Sequence, residues 1–400
     1  MSSLRPVDEV TDELLALVCP GTLTEIRSLD DSLNCCLAED IQSPLNVPPG
    51  DNSAMDGYAI AIDSAALNKW MVISDRIPAG HMGKSLALGT AARIFTGAQI
   101  PAGADTVIMQ ENTESDGDKV RLLSLPEPLA NVRSKGQDIK AGSIILRKGD
   151  RLSSNALALV ASVGVSELQV MSPLKVVIMS TGDELVEPGS EPAPGQIYNS
   201  NRYALAGMLK NLGMQVIDLG IVGDTPEETE RALIEASKVA DCIIASGGVS
   251  VGEEDHVKAA VEKLGHINIW KMAIKPGKPL AYGVVDGVPF FGLPGNPVST
   301  FVTFHIVAKP YLLAMQGFSD VRLQAYSARA SFEFRGGSRR EYLRVRTRLS
   351  DDGEIVLDKF PNQGSGIMTS VVWADALAEV EISQQVKPGD LLKIYPISHL

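Results

Sequence analysis

The chain has 400 residues, of which 44% are hydrophobic and 21% charged, and its formal net charge is -13. This length exceeds what one hydrophobic core usually supports, so we expect two to four domains. The negative charge argues against a nucleic-acid surface, which needs clustered Lys and Arg. The four cysteines form no CxxC pair, which argues against zinc and a disulfide framework. We expect a cytoplasmic protein, because the first residues lack an apolar leader and no stretch reaches the length of a membrane span.

The first 172 residues predict a helical unit interrupted by a β domain. Apolar residues with helical spacing run from Val7 to Val18, and a second set, Ile26, Leu29, Leu33 and Leu37, predicts a second helix. Helical spacing returns over residues 152–165. Short strands with Gly and Pro turns lie between them. We therefore expect a helical platform of residues 1–45 and 142–172, with a small β domain of residues 46–141 inserted in it.

The rest of the chain predicts an α/β domain followed by a β domain. Over residues 173–320, buried strands alternate with helices of about 12 residues, which is typical of an open, mostly parallel α/β sheet. Such sheets bind ligands beyond the carboxyl ends of their strands. Residues 321–400 alternate at period two and predict a C-terminal β-barrel or sandwich.

Three strand ends in the α/β domain break into loops rich in glycine, proline and charge. They read Ser246-Gly-Gly-Val-Ser-Val-Gly-Glu-Glu-Asp255, Lys275-Pro-Gly-Lys-Pro279 and Leu293-Pro-Gly-Asn-Pro297. Glycine N–H groups and lysines suit an oxyanion, and acids so close to an anion indicate a divalent cation between them. Further acids follow other strands at Asp183, Glu184 and Asp224. The pattern predicts a nucleotide or phosphoester site with Mg²⁺.

Each motif also has an ordinary structural interpretation. A glycine after a strand often only allows the backbone to turn, and lysines are common on surface turns. Two neighbouring acids can simply cap a helix. Asp51-Asn-Ser-Ala-Met-Asp-Gly-Tyr-Ala predicts either a structured turn or a catalytic loop. Residue chemistry alone leaves these alternatives open.

Taken in order, the motifs resemble those of the molybdopterin molybdenumtransferase family. The resemblance rests on Asp51-Asn-Ser-Ala-Met-Asp-Gly-Tyr-Ala, Thr96-Gly, Ser180-Thr-Gly-Asp-Glu, Ser246-Gly-Gly-Val-Ser-Val-Gly, Lys275-Pro-Gly-Lys-Pro and Leu293-Pro-Gly-Asn-Pro, and it covers nearly the whole chain. It implies the same four segments, a molybdopterin-binding α/β domain among them, assembled as an elongated homodimer. It also implies a Mg²⁺-dependent insertion of molybdate into adenylyl-molybdopterin, with release of AMP and formation of molybdenum cofactor.

The resemblance also implies roles for individual residues. The positions that match the family's functional residues are Asp56, Thr96, Glu184, Asp224, Asp255, Lys271, Lys275, Lys278 and Ser365. Among them Glu184, Asp224 and Asp255 would hold Mg²⁺. The substrate-binding positions are Gly247, Gly248, Ser250, Pro294, Gly295, Asn296 and Arg344, with Arg339 and Arg340 as alternatives to Arg344. Asp56 and Thr96 would reach the α/β site of the partner subunit.

Two other functions remain open from the sequence. One is adenylylation of molybdopterin, for which residues 173–320 alone would suffice, leaving the other segments unexplained. The other is a non-catalytic scaffold, which the lack of a long linker or second module disfavours. A molybdopterin-adenylylating enzyme and acceptor molybdoenzymes are the partners that the resemblance implies.

Overall fold

The computed structural model describes residues 4–248, 256–277 and 279–399. The first unit combines helices with short paired strands. Its helices are Val7–Ala16 and Ser154–Ser162, and the strand Thr24–Ser28 pairs antiparallel with Glu167–Met171. Ser153 caps the second helix by accepting a hydrogen bond from the N–H of Ala156 at 3.2 Å.

The prediction of a second helix around residues 26–37 is wrong. Ile26 lies in the strand Thr24–Ser28, where exposed and half-buried positions alternate, and its side chain is 71% exposed. The apolar spacing fitted a helix, but pairing with a strand more than 130 residues later determined the local structure. The first helix behaves as predicted on one face: Val7, Val10 and Leu14 are buried. They pack in the same cluster as the α/β sheet.

The inserted unit is a six-stranded β sheet carried on a two-stranded ribbon. Its strands in spatial order are Thr106–Met109, Gly57–Ile60, Thr90–Ile94, Trp70–Ile77, Lys119–Leu122 and Thr113–Asp116. The ribbon pairs Asn52–Ser53 with Val132–Arg133, and Ile41–Gln42 with Ile144–Leu146. Short single-turn helices lie at Ile62–Ser64 and Gln110–Asn112. The chain therefore enters and leaves the inserted unit through this ribbon, as expected for an insertion.

The third unit has a mixed six-stranded sheet that confirms the predicted α/β architecture. In spatial order its strands are Gln215–Val222, Lys175–Thr181, Cys242–Ser246, Val288–Leu293, Pro279–Val285 and Gly265–Lys271. The first four are parallel and the last two antiparallel. The helices around it are Ser200–Asn211, Pro226–Ser237, His256–Leu264 and Pro297–Thr303, and a small pair joins Leu185–Val186 to Ile197–Tyr198. The parallel strands place their carboxyl ends along one edge.

One long helix runs through the core of this unit. It spans Pro297–Gln316 and consists of Pro297–Thr303, a π-helical turn at Phe304–Ala308, and Lys309–Gln316. By length and composition it could cross a membrane, contrary to the expectation that no segment has that length, but 94% of its most apolar window is buried inside the protein. We call it the core helix. A cytoplasmic location stays a prediction.

The C-terminal unit is a closed five-stranded barrel. Around the barrel the strands are Arg340–Leu349, Ile355–Lys359, Tyr326–Ala330, Leu391–Pro396 and Ala376–Val380, which pairs again with the first. Phe334–Arg335 pairs with Gln385–Val386, and the helices Met368–Trp373 and Ile397–His399 complete the unit. A strand of the α/β unit, Ile274–Lys275, adds in parallel to Arg340–Glu341. This pairing joins the barrel to the segment Lys275-Pro-Gly-Lys-Pro279, which we call the lysine turn.

Candidate functional site

The glycine loop after the central strand lies against the end of its neighbour. Gly248 has a φ of +62°, and a Cβ there would lie 2.6 Å from Thr181 Oγ1 and 2.5 Å from Val257 Cγ2, so only glycine fits. Gly247 likewise faces the carbonyl of Thr181. Thr181 Oγ1 is buried and has no hydrogen-bond partner within the described parts of the chain. The predicted roles of Ser250 and Asp255 fall on residues outside those parts.

A buried asparagine that the sequence analysis missed ties two of these loops together. Asn201 Nδ2 donates hydrogen bonds to Ser246 Oγ at 2.8 Å and to the carbonyl of Gly295 at 2.7 Å. Beside it, Asn199 caps the helix Ser200–Asn211. The sequence did contain a signal for this role, because two asparagines stand at the start of a helix, directly after a loop. Asparagine side chains in such positions often hydrogen-bond to neighbouring backbone.

The core helix begins where the α/β unit meets the barrel. The N–H of Val298 donates to the carbonyl of Ser365 at 2.9 Å. Thr300 Oγ1 donates to the carbonyls of Pro294 and Asn296. Ser365 is thus brought to the first turn of this helix from 67 residues along the chain. The predicted residues Gly295 and Asn296 are exposed on that turn.

The lysine turn packs on the same part of the core helix. A Cβ at Gly277, which has a φ of +105°, would lie 2.5 Å from Thr303 Oγ1. Lys275 Nζ lies 3.0 Å from a carboxylate oxygen of Glu341, whose side chain is 4% exposed while that of Lys275 is 47% exposed. The ammonium of Lys275 is therefore held at this turn by one buried carboxylate, which offsets part of its charge, and it stays half-exposed to solvent. Lys278 lies outside the described residues.

Lys271 ends the strand Gly265–Lys271, just ahead of this turn. Its carbonyl accepts a hydrogen bond from the N–H of Arg5 at 3.0 Å, and its side chain is half-buried. The start of the first unit is therefore fixed to the strand that leads to the lysine turn.

Two predicted metal-binding acids follow neighbouring strands. Thr181 lies opposite Val222 in the parallel pair, and Glu184 and Asp224 come shortly after these two residues. Glu184 is exposed and Asp224 half-buried. Over the described residues no three His, Cys, Asp or Glu side chains lie close enough to hold a metal ion. The third predicted ligand, Asp255, lies outside them, so the described part supplies two oxygen donors of the type that Mg²⁺ prefers.

The three candidate arginines have different surroundings. Arg344 is 1% exposed and donates to Ser370 Oγ at 3.0 Å and to the carbonyls of Tyr342 at 3.1 Å and Gly364 at 3.2 Å. Burial lowers the pKa of Arg344 to about 10. This geometry argues against the choice of Arg344 as a substrate contact, because its guanidinium is enclosed and each of its nitrogens already donates within the protein. Its hydrogen bonds hold the loop that leads to Ser365.

Arg339 is the arginine beside the lysine turn. Its Nη1 donates to the carbonyl of Ile274 at 3.0 Å, and the side chain is half-buried. Arg340 instead pairs with Asp8 at 2.9 Å and with Glu381 at 3.1 Å. Its positive charge is therefore offset by carboxylates, which leaves Arg339 as the better placed of the three.

Asp56 and Thr96 meet on the inserted β unit. Asp56 Oδ1 accepts hydrogen bonds from the N–H and the hydroxyl of Thr96, both at 2.8 Å. These two bonds, the backbone one first, lower the pKa of Asp56. Both residues are exposed, so the pair presents an ionised carboxylate to solvent from a unit separate from the α/β loops.

Comparison with known proteins covers nearly all of the chain. Residues 5–164 match the model of the MoeA N-terminal region (domain I and II), residues 177–314 that of a probable molybdopterin binding domain, and residues 327–397 that of the MoeA C-terminal region (domain IV). The molybdopterin molybdenumtransferase of Haemophilus influenzae is 39% identical over 98% of this chain and 99% of its own. The chain belongs to the molybdopterin molybdenumtransferase family.

Other members of the molybdopterin molybdenumtransferase family agree in sequence and in structure. A Nostoc protein of that name is 37% identical over 80% of this chain and 76% of its own. The crystal structure of a molybdopterin biosynthesis MoeA protein from Pyrococcus horikoshii superposes with a TM-score of 0.84 at 28% identity, covering 98% of this chain and all of that one. The resemblance drawn from the motifs is therefore confirmed.

Proposed function

We propose that this protein inserts molybdate into adenylyl-molybdopterin and releases AMP, forming molybdenum cofactor. Membership of the molybdopterin molybdenumtransferase family supports this reaction. The observation that carries it at residue level is the meeting of four segments at the start of the core helix. Ser365 lies on Val298, the lysine turn packs on Thr303, and Asn201 joins the carbonyl of Gly295 to Ser246.

The oxyanion is bound where the α/β unit meets the barrel. Lys275 supplies positive charge held in place by Glu341, and Arg339 lies on the neighbouring segment. In a protein of net charge -13, a dianion such as molybdate needs local positive charge of this kind. Ser365, with Lys278 and Ser250, completes the proposed set around the anion.

The adenylylated pterin lies along the carboxyl edge of the sheet. The N–H groups of Gly248 and Gly295 suit its phosphates, because glycine lets the backbone approach closely there. The N–H of Gly247 instead donates to the carbonyl of Leu293 at 3.2 Å, so Gly247 contributes the shape of the loop. Lys271 lies at the entry to the lysine turn and adds a positive charge on that side. Pro294 and Asn296 shape the wall at the helix start.

Glu184, Asp224 and Asp255 are the residues that would hold Mg²⁺ in this proposal. Glu184 and Asp224 follow paired strand positions, which supports a shared cation between the two loops. Bound there, the ion would offset the negative charge of the phosphoanhydride. Carboxylates in these loops would otherwise repel an anionic substrate.

The proposed active form is a homodimer with composite sites. Asp56 and Thr96 are exposed on a β unit carried by a two-stranded ribbon, which supports their reaching the site of a second subunit. Mixing Asp56→Asn chains with Asp224→Asn chains should then restore part of the lost activity through hybrid dimers. If the two variant chains recover no activity at any mixing ratio, each subunit builds its own site.

The decisive experiment is AMP release from adenylyl-molybdopterin with and without molybdate. We expect release to require molybdate, and Lys275→Ala to raise the molybdate concentration needed for half-maximal release. Lys238→Ala, an exposed lysine at the end of another helix, serves as the matched control. Release that ignores molybdate would contradict insertion, and formation of adenylyl-molybdopterin from ATP would favour the adenylyltransferase instead.

A further inference from the structure

A second basic site lies at the other end of the helices that build the first one. The helix Ser200–Asn211 carries Asn201 in its first turn and Lys210 in its last turn, and the core helix begins at Pro297 and reaches Lys309 twelve residues later. At 1.5 Å per residue this separates the two ends by roughly 18 Å. A cavity of about 710 Å³ opens there between the first unit, the α/β unit and the segment that leads into the barrel.

The charged lining of this cavity is mostly positive. It contains Arg151, Lys210, Lys309 and Arg322 against the single carboxylate Asp320. Arg322 pairs with Asp12 at 2.6 Å, so its charge is partly offset. The other three cations come from three different segments of the chain. In a protein of net charge -13, such a concentration of positive charge is a local feature and attracts anions.

Two of these cations are held in place and partly removed from water. Lys309 is 6% exposed. The guanidinium of Arg151 stacks over the ring of Phe318 at 4.4 Å. Burial, and after it the charge of Arg151, lowers the pKa of Lys309 to about 8. Arg151 and Lys309 thus place positive charge on a partly buried part of the wall, where attraction for an anion is stronger than in bulk water.

The remaining lining suits a molecule larger than a bare ion. Leu313, Val321 and Ile397 offer an apolar surface, and the carboxylate of Asp320 is an acceptor for sugar hydroxyls. We propose that this cavity, the basic cavity, binds a nucleoside monophosphate with its phosphoryl group against Arg151, Lys210 and Lys309. Asp320 then accepts hydrogen bonds from the ribose, and the base lies on the apolar side chains. The assignment does not depend on the reaction proposed above, since no residue of the basic cavity belongs to that site.

Hydrogen–deuterium exchange tests the assignment with AMP, ribose 5-phosphate and inorganic phosphate as ligands. The irregular segment 317–325 lines the basic cavity, so we expect AMP to slow exchange of its amides. Affinity should increase from phosphate to ribose 5-phosphate to AMP. The Lys271→Ala variant, changed on the side of the first site that we assign to the adenylylated pterin, should keep this protection, which separates AMP binding in the basic cavity from AMP binding at the first site.

Substitutions of residues that line the basic cavity provide a second test of the proposal. We expect Lys309→Met and Lys210→Ala each to weaken AMP binding at least tenfold, or ~1.4 kcal/mol. Lys210 is exposed, so its removal leaves the fold intact even if Lys309→Met does not. Lys238→Ala, at the C-terminal end of Pro226–Ser237, the next helix along the chain, should bind AMP as the unmodified protein does. Unchanged affinity in Lys210→Ala, equal affinity for phosphate and AMP, or no protection of 317–325 would each overturn the proposal.

Discussion

Replacing Arg344 and Arg339 by methionine tests whether Arg344 is structural and whether Arg339 binds the anion, as we propose. Arg344 makes three side-chain hydrogen bonds, to Ser370, Tyr342 and Gly364, in a position that is 1% exposed. At about 1 kcal/mol net for each bond the loss is about 3 kcal/mol. Removing a buried charge offsets part of that loss. We therefore expect Arg344→Met to lower the free energy of unfolding by about 2–3 kcal/mol.

The matched variant Arg339→Met should behave in the opposite way. Arg339 makes one hydrogen bond, to the carbonyl of Ile274, from a half-buried position, so its loss should cost about 1 kcal/mol or less. If it binds the oxyanion, the molybdate concentration for half-maximal AMP release should rise at least tenfold, equivalent to ~1.4 kcal/mol. For Arg344→Met that concentration should stay near the original value while the amount of folded enzyme falls.

Denaturant unfolding followed by circular dichroism gives the stability of each variant, and AMP release at increasing molybdate gives its requirement. Arg344→Lys is a useful intermediate, because it keeps a positive charge but loses the planar fork that reaches all three acceptors. The reasoning is refuted if Arg344→Met remains fully stable and needs more molybdate, or if Arg339→Met leaves the molybdate requirement unchanged.

Thr96→Val should raise the pKa of Asp56, because the hydrogen bond from the Thr96 hydroxyl helps to lower it. An NMR titration of the Asp56 carboxyl group that gives the same pKa in the variant would contradict this. The stabilisation linked to that low pKa is present above the ordinary pKa and is lost as pH falls through the lowered one. Burial lowers the pKa of His305 to about 3, so only the unfolded chain gains this proton below pH ~6.5, and stability falls by up to about 1.4 kcal/mol per pH unit on acidification. Urea unfolding of His305→Leu should show a flatter pH dependence. Gly277→Ala should lower the free energy of unfolding by about 1–3 kcal/mol and reduce AMP release, because alanine is strained at a φ of +105° and its Cβ would meet the hydroxyl of Thr303 on the core helix. Gly189→Ala, at a φ of +101° with no atom near the added Cβ, should lose less stability and stay active.

Local patterns in the sequence were enough to predict the helices and strands whose apolar residues recur at a regular period. The alternation of apolar strands and helices over residues 173–320 predicted the α/β sheet, because strand and helix periods differ and each buries one apolar face. The face formed by Val7, Val10 and Leu14 is buried as its spacing predicts. Polar loops at strand ends predicted where the candidate site lies, since parallel strands end at one edge.

Contacts between distant segments decided the rest. Residues 26–37 have helical spacing, yet the strand Thr24–Ser28 forms because Glu167–Met171 pairs with it, and no local pattern encodes that partner. The choice among Arg339, Arg340 and Arg344 depended on which guanidinium the barrel encloses. Arg339 directly precedes the strand Arg340–Leu349, and Arg340 and Arg344 lie on it, so their positions in the sequence do not distinguish them. Burial and pairing are properties of the assembled chain, so the proposal that Arg339 faces the anion rests on tertiary structure.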